Sequence, residues 1–157
     1  MSTILRFLEF LSLGTWVGSI LFLSFVVAPG AFATLGSREL AGAMVDMALA
    51  RLHMLGLMAG FLYLLSRVAL AKSLSALASR PALLVVAMLA LTLVSQYAVS
   101  PRMAQLRAEM GSVDAVPREH PPRVEFHRLH RVSVLLEVVV LLAGLAALYL
   151  TARELPL

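Results

Sequence analysis

Residues 126–137, FHRLHRVSVLLE, bring two histidines and a glutamate together in a largely apolar part of the sequence. His127 and His130 are three positions apart, and Glu137 follows seven positions after His130. At about 100° per residue, these side chains and Ser133 lie on one face of a helix. Imidazole, hydroxyl and carboxyl groups on one face could form a polar site for a cation or a metal ion.

Glu137 needs a polar environment, because a carboxylate that faces lipid costs several kcal/mol. We therefore expect it to face the interior of a helix bundle or a wet cavity. Gln96 and Tyr97 lie at nearly the same depth in another helix, roughly 9 Å inside its basic boundary, so either could bond to Glu137. Two interpretations stay open: Glu137 is a neutral acid that only fixes packing, or it forms a functional site with His130 and Ser133.

Metal binding is a narrower hypothesis for the same histidines. His127 and His130 could present two imidazoles on one face, and His53 from a different helix is the sterically more suitable partner for His130. A transition metal is one candidate cofactor, and a haem held by two histidines at matched depth is another. The sequence contains no cysteine, which excludes disulfides and thiolate metal sites. It also lacks nucleophile elbows and phosphate-binding loops, so we do not expect an enzyme.

The composition is that of a membrane protein. The 157 residues are 61% hydrophobic and 14% charged, and the mean hydropathy of +0.91 is far above that of a soluble domain. Apolar runs at residues 10–28, 52–66, 81–101 and 132–152 approach or reach the roughly 20 helical residues that cross a bilayer. We predict an all-α antiparallel bundle of four transmembrane helices, a single domain over residues 1–157, in the inner membrane of a bacterium. A cleaved signal peptide is the alternative for the first run.

The first two helices have recognisable ends. The first is expected to stop near Ala28, because Pro29 lacks a backbone donor and Gly30 frees the backbone. The second should run unbroken from its N-cap at Ser37 to about Lys72. Such a helix is about 50 Å long, longer than the roughly 30 Å core of a bilayer. We therefore predict that its N-terminal end projects beyond the membrane.

The last two helices complete the arrangement. The third should begin near Pro81 and continue past Pro101 with a kink, and the fourth should begin near Arg123. In an antiparallel bundle the start of the second helix, the end of the third and the start of the fourth meet at one end. All four histidines then lie at that end, which is polar and extended, while the opposite end is expected to be short and plain.

Glycine and charge patterns suggest how the chain packs and what it contacts. Two small-residue motifs, with Gly14 and Gly18 in one and Gly56 and Gly60 in the other, allow close approach between helices or between protomers. The sequence has 13 Lys and Arg against 9 acidic residues, and the basic residues lie near the ends of the apolar runs. They suit lipid head groups rather than nucleic acid. We expect a homo-oligomer or a subunit of a membrane complex in the lipid bilayer.

Four segments resemble, in order, the small four-helix proteins related to transmembrane protein 205, which are classed as a domain of unknown function. The segments are WVGSILFLSFVVAPGAFATL, RELAGAMV, SPRMAQLR and FHRLHRVSVLLE. The resemblance spans nearly the whole chain, and it is most specific at Trp16, Pro29, His130 and Ser133. It implies a four-helix membrane bundle without a settled activity and supports His130 and Ser133 as site residues. At Glu137 that family usually has asparagine.

Three functions are consistent with these observations. The first is a non-enzymatic protein that handles or exports a cation or metal complex through a polar His/Ser/Glu site at one end of the bundle. The second is an accessory or assembly subunit of a larger membrane complex, docked through the long second helix. The third is a redox membrane protein linked to haem or quinone.

Overall fold

The computed structural model describes residues 2–111, 113 and 115–155. These residues form four long helices and no strand: α1 (Ser2–Thr34), α2 (Arg38–Ala71), α3 (Arg80–Met110) and α4 (Pro121–Arg153). A 3-10 turn at Leu74–Ala78 connects α2 to α3. Each long helix has the length and apolar composition needed to cross a membrane. The prediction of an all-α bundle of four transmembrane helices is confirmed.

The helices pack as an up-and-down ring in which α1 contacts α2 and α4, and α3 contacts the same two helices. The core forms where the apolar stripes of all four helices meet, because a helix that is apolar on one face must bury that face against a neighbour. The largest buried core side chains include Trp16, Tyr63, Leu13, Ile20 and Met88.

The second helix follows its sequence signals. The Ser37 hydroxyl accepts a hydrogen bond from the Leu40 backbone N–H at 3.1 Å, which satisfies one of the free donors of the first turn. At the other end Lys72 adopts the left-handed conformation, with φ of 53°, that commonly terminates a helix. The predicted unbroken helix from near Ser37 to near Lys72 is confirmed.

The prediction that the first helix stops at Ala28 is wrong. The helix continues to Thr34 through a π-helical segment, Leu23–Val27, in which the Ala28 N–H bonds to the Leu23 carbonyl five residues back. Pro29 then occupies the first turn of the next α-helical segment, Ala28–Thr34. In a first turn the missing donor of proline costs little, so the π segment lets the helix continue through the proline.

The third helix uses the same arrangement. Its π-helical segment, Ser95–Val99, directly precedes Ser100 and Pro101, and the Ser100 N–H bonds to the Ser95 carbonyl. The irregularity predicted near Pro101 is therefore a π segment. Because α1 and α3 run in the same direction, both π segments lie in the half of the bundle that contains the histidines. Such segments are frequent at functional sites.

Close packing in the bundle depends on only one of the two predicted glycine pairs. A Cβ atom at Gly60 would lie 2.8 Å from Cζ3 of Trp16, and one at Gly56 would overlap the same indole. These two glycines let Trp16 lie against the α2 backbone. Gly14 and Gly18 are exposed, and a Cβ atom at either position would meet no other side chain or helix within 4 Å. Their predicted packing role within one chain is therefore not observed.

Candidate functional site

A cavity of about 700 Å³ lies between the four helices in the half of the bundle that contains the histidines, hereafter the histidine end. Its wall is mostly apolar, with residues such as Ile20, Leu23 and Leu141. The polar residues of the wall are Ser24, Asp46, Gln96, Ser100, His130, Ser133 and Glu137. Both π segments contribute to it, since Leu23 and Ser24 belong to one and Gln96 to the other.

A buried histidine connects three helices beside this cavity. His53 on α2 is 1% exposed; its Nδ1 lies 2.8 Å from Oε1 of Gln96 on α3, and its Nε2 lies 3.4 Å from Oε2 of Glu137 on α4. The Gln96 oxygen can only accept, so Nδ1 donates to it. Nε2 is then the ring nitrogen that interacts with the carboxyl group.

The second carboxyl oxygen of Glu137 has an unusual position. Oε1 is buried and has no hydrogen-bond partner among the residues that the structure describes. Most buried polar atoms are hydrogen-bonded, because desolvation without a partner costs about 1–3 kcal/mol. Glu137 belongs to the cavity wall and its side chain is 15% exposed, so rotation of the carboxyl group would let a ligand in the cavity satisfy this oxygen.

The predicted partners of Glu137 have different positions. Gln96 reaches Glu137 through His53 rather than directly. Tyr97, the other candidate, is 65% exposed, so the polar group of another helix that Glu137 reaches is His53 rather than either candidate. Neighbouring residues on a helix point in different directions, so the turn that directs Gln96 inward directs Tyr97 outward. The sequence predicted the depth of both residues but did not show which of the two faces the bundle interior.

The remaining predicted residues divide between the cavity and the surface. His130 and Ser133 line the cavity, with Ser133 buried and His130 exposed. His127 lies outside the wall, and its ring centre is 5.9 Å from that of Phe126. The stripe predicted on α4 therefore contributes His130, Ser133 and Glu137 to the site.

The predicted metal cluster of His53, His127 and His130 is not formed. Across the described residues, no group of three His, Cys, Asp or Glu side chains could hold a metal ion together. His53 lies at the level of Glu137, which is about 10 Å along the helix from His130. The same separation prevents His53 and His130 from holding a haem as a pair at matched depth.

Charged contacts join the helix extensions at the histidine end. The Arg102 guanidinium binds both carboxyl oxygens of Glu125, at 2.8 and 2.9 Å, and connects α3 to α4. Arg107 pairs with Asp46 on α2 and lies 5.4 Å from the ring centre of Phe126 on α4. Asp46 is thus part of the cavity wall and already has a cationic partner.

The opposite end is not plain, contrary to the sequence-based expectation. It contains a polar cluster of Glu9, Tyr63, Arg67, Thr151 and Glu154. This end of the bundle is hereafter the closed end. Buried Arg67 donates to Glu9 Oε1 at 3.3 Å and also pairs with Glu154. The Tyr63 and Thr151 hydroxyls lie 2.8 Å apart. The signal was present in the sequence, because Glu9 and Arg67 have opposite charges near the same end of adjacent antiparallel helices.

Comparison with known proteins adds a family but no activity. The model of a family described as a domain of unknown function (DUF4149) matches residues 11–112. That range contains most of α1 and all of α2 and α3, and therefore His53 and Gln96, but it ends before α4. No curated protein and no solved structure matches the chain.

Proposed function

We propose that this chain, which belongs to the DUF4149 family of domains of unknown function, is a multi-pass membrane protein that binds and exports a cation through the cavity at the histidine end. The same proposal includes two further points. The chain is related to the proteins that resemble transmembrane protein 205, and it lies in the inner membrane of a bacterium.

The observation that carries this proposal is the buried, unpartnered Oε1 of half-buried Glu137 beside the cavity. A carboxyl oxygen without a donor attracts a positive charge or a hydrogen-bond donor, and the low dielectric of a bundle interior strengthens that attraction. Imidazole and hydroxyl groups of His130 and Ser133 lie in the same wall. An anionic ligand would be repelled by the carboxylate.

The size of the cavity restricts the cation. About 700 Å³ lies within the range of roughly 300–1,000 Å³ that is typical of sites for drug-sized ligands. A bare ion needs far less room and several closely spaced ligands, which the separated histidines do not supply. The geometry favours an organic cation, or a cationic metal complex that is held whole without direct bonds from side chains to the metal.

A non-catalytic role is part of the proposal. In the described part of the chain, none of the wall residues Ser24, Ser100 and Ser133 has a hydrogen bond to a histidine that could activate it as a nucleophile. The polar groups instead lie apart from one another around the cavity, an arrangement typical of a site that binds and orients a ligand. A pathway across the whole membrane could use several protomers, and the outward Gly14 and Gly18 leave one face of α1 open to a neighbouring copy.

Binding of tetraphenylphosphonium, a hydrophobic monovalent cation, tests the proposal. The purified chain in detergent should bind it, and Glu137→Gln should weaken binding by about tenfold to a hundredfold, because it removes a carboxylate that attracts the cation in a site of low dielectric. Equilibrium dialysis measures the affinity, and triphenylphosphine oxide serves as the uncharged comparison ligand.

The matched control variant is Glu109→Gln, which removes an exposed carboxylate from α3 outside the cavity. It should bind the cation like the wild type. If the wild type binds the cation no better than it binds the uncharged ligand, the cation proposal fails, and the accessory-subunit hypothesis takes its place. Equal weakening by both variants would mean that overall charge, rather than the cavity, attracts the cation.

A further inference from the structure

The charge balance of the pair formed by His53 and Glu137 restricts what the cavity can accept. Since Nδ1 of His53 donates to Gln96, one remaining proton, hereafter the shared proton, can reside either on Nε2 or on the carboxyl group. With that proton the pair is neutral overall, whichever partner carries it. Without it the pair has one negative charge, which is costly to bury unless a cation lies nearby.

Helices α1 and α3 supply no charge that could compensate the pair. After Glu9, α1 contains no charged or titratable side chain up to its end at Thr34. From α3 the pair receives the uncharged amide of Gln96. The nearest cation that follows on α3 is Arg102, which is already bound to Glu125 by two hydrogen bonds.

The other charged groups on α2 and α4 are also engaged or distant. Asp46 lines the cavity but is paired with Arg107. Arg51, two positions before His53, is exposed. His130 lines the cavity about 10 Å along α4 from Glu137, toward the extended end. Arg131, six positions before Glu137, is exposed and lies outside the cavity wall. A positive charge beside deprotonated Glu137 would therefore come from a ligand.

We propose that the cavity takes up a monovalent, hydrophobic organic cation in exchange for the shared proton of His53 and Glu137. This inference rests on the proposed function and adds the class of ligand and its coupling to protons. The cation enters, one proton leaves to solvent past His130, and the carboxylate then balances the charge of the ligand. No covalent bond of the ligand changes, and the net charge of the site stays at zero throughout.

The exchange also explains which ligands are excluded. A divalent ion would leave one positive charge without compensation in an apolar cavity, because the pair releases a single proton. A neutral molecule would release no proton. The apolar wall residues, among them Ile20, Leu23 and Leu141, suit the hydrocarbon surface of an organic cation rather than a hydrated inorganic ion.

Wild-type protein provides the deciding measurement. Tetraphenylphosphonium is added to the purified chain in weakly buffered detergent solution with a pH indicator, and bound cation is measured in parallel. We expect about one proton released per cation bound, and a Kd that falls about tenfold for each unit of rising pH while the free pair retains its proton. Binding without proton release, with the same Kd at every pH, would overturn the exchange and leave the proposed function intact. Absence of any cation binding would overturn both.

Two variants of Glu137 and one control variant locate the proton. Glu137→Gln removes the carboxyl group and should abolish proton release, whereas the matched histidine control His127→Ala, outside the cavity wall, should release protons like the wild type. Glu137→Asp retains a carboxyl group and should still release about one proton per bound cation, with weaker binding. It also provides the comparison if Glu137→Gln does not fold. Normal proton release from a folded Glu137→Gln would overturn the assignment to this pair.

Discussion

The two ends of the bundle both bury titratable groups, but they surround them differently. At the closed end, Glu9 is 2% exposed and Arg67 is 8% exposed, and Arg67 pairs with both Glu9 and Glu154. At the histidine end, Glu137 has one oxygen near His53 and the other without a partner among the described residues, beside a cavity. None of the five closed-end residues lines that cavity.

This difference separates a structural cluster from a candidate binding site. A buried charge whose partners are all present has little left to offer a ligand, and removing one partner chiefly destabilises the fold. A buried carboxyl oxygen without a partner costs stability in the free protein, and a ligand that pairs with it recovers part of that cost. Burial and charge alone would not have distinguished the ends. The ends are distinguished by how many hydrogen-bond and ion-pair partners each buried group has and by whether a cavity lies beside it.

The largest expected effect is at Arg67. Arg67→Met retains much of the side-chain volume but leaves Glu9 and Glu154 without their cation, so it should destabilise the protein by about 3–5 kcal/mol. The fluorescence of Trp16, the one tryptophan in the sequence, can follow unfolding in detergent. Cation affinity of the molecules that remain folded should be unchanged, because the cavity lies at the other end.

Arg102→Met is the matched control for that variant. Arg102 and Glu125 form a good bidentate pair, but their side chains are 40% and 42% exposed, and an exposed pair typically contributes about 0.2–1 kcal/mol. Equal destabilisation by the two substitutions would contradict the view that the closed end is a buried structural cluster. Loss of cation binding in folded Arg67→Met would contradict the separation of the two ends.

Glu137 should show the opposite profile, with a large effect on binding and a smaller one on stability. Glu137→Leu leaves Nε2 of His53 without its partner and should cost about 1–3 kcal/mol, whereas Glu137→Gln retains a polar group there and should cost less than about 1 kcal/mol. Both should lose tight cation binding. A fully stable Glu137→Leu would mean that the contact with His53 is not needed for folding.

The fold was predictable because its signals are strong and repeated. Long apolar runs and the Ser37 cap defined the helices and the unbroken α2. The end of α1 was missed because Pro29 usually terminates a helix, whereas here it follows a π segment. Helix propensity does not register such a segment, since its residues are ordinary helix formers.

The candidate site was predictable in depth but not in direction. The sequence placed Gln96 and Glu137 at one level, and the structure connects them through His53. Which residue of the neighbours Gln96 and Tyr97 faces inward depends on the rotation of α3 about its axis. Helix packing sets that rotation. The apolar pattern of a single sequence defines the rotation only to within the angle of one residue or more.

The smallest expected effect comes from two matched tyrosines. The Thr151 hydroxyl donates to the Ala147 carbonyl at 2.8 Å, so it must accept the bond from buried Tyr63 at the closed end. Tyr63→Phe should therefore destabilise the protein by about 0.5–1.5 kcal/mol, the net value of one buried hydrogen bond.

Tyr97→Phe removes the same hydroxyl from an outward-facing side chain that is 65% exposed, so it should change the free energy of unfolding by no more than about 0.5 kcal/mol. Thermal unfolding in one detergent, followed by Trp16 fluorescence, compares the two variants directly. A larger loss in Tyr97→Phe than in Tyr63→Phe would mean that α3 is rotated relative to the structure. Gln96 would then no longer face His53, and the histidine end would lose the contact that orients its imidazole.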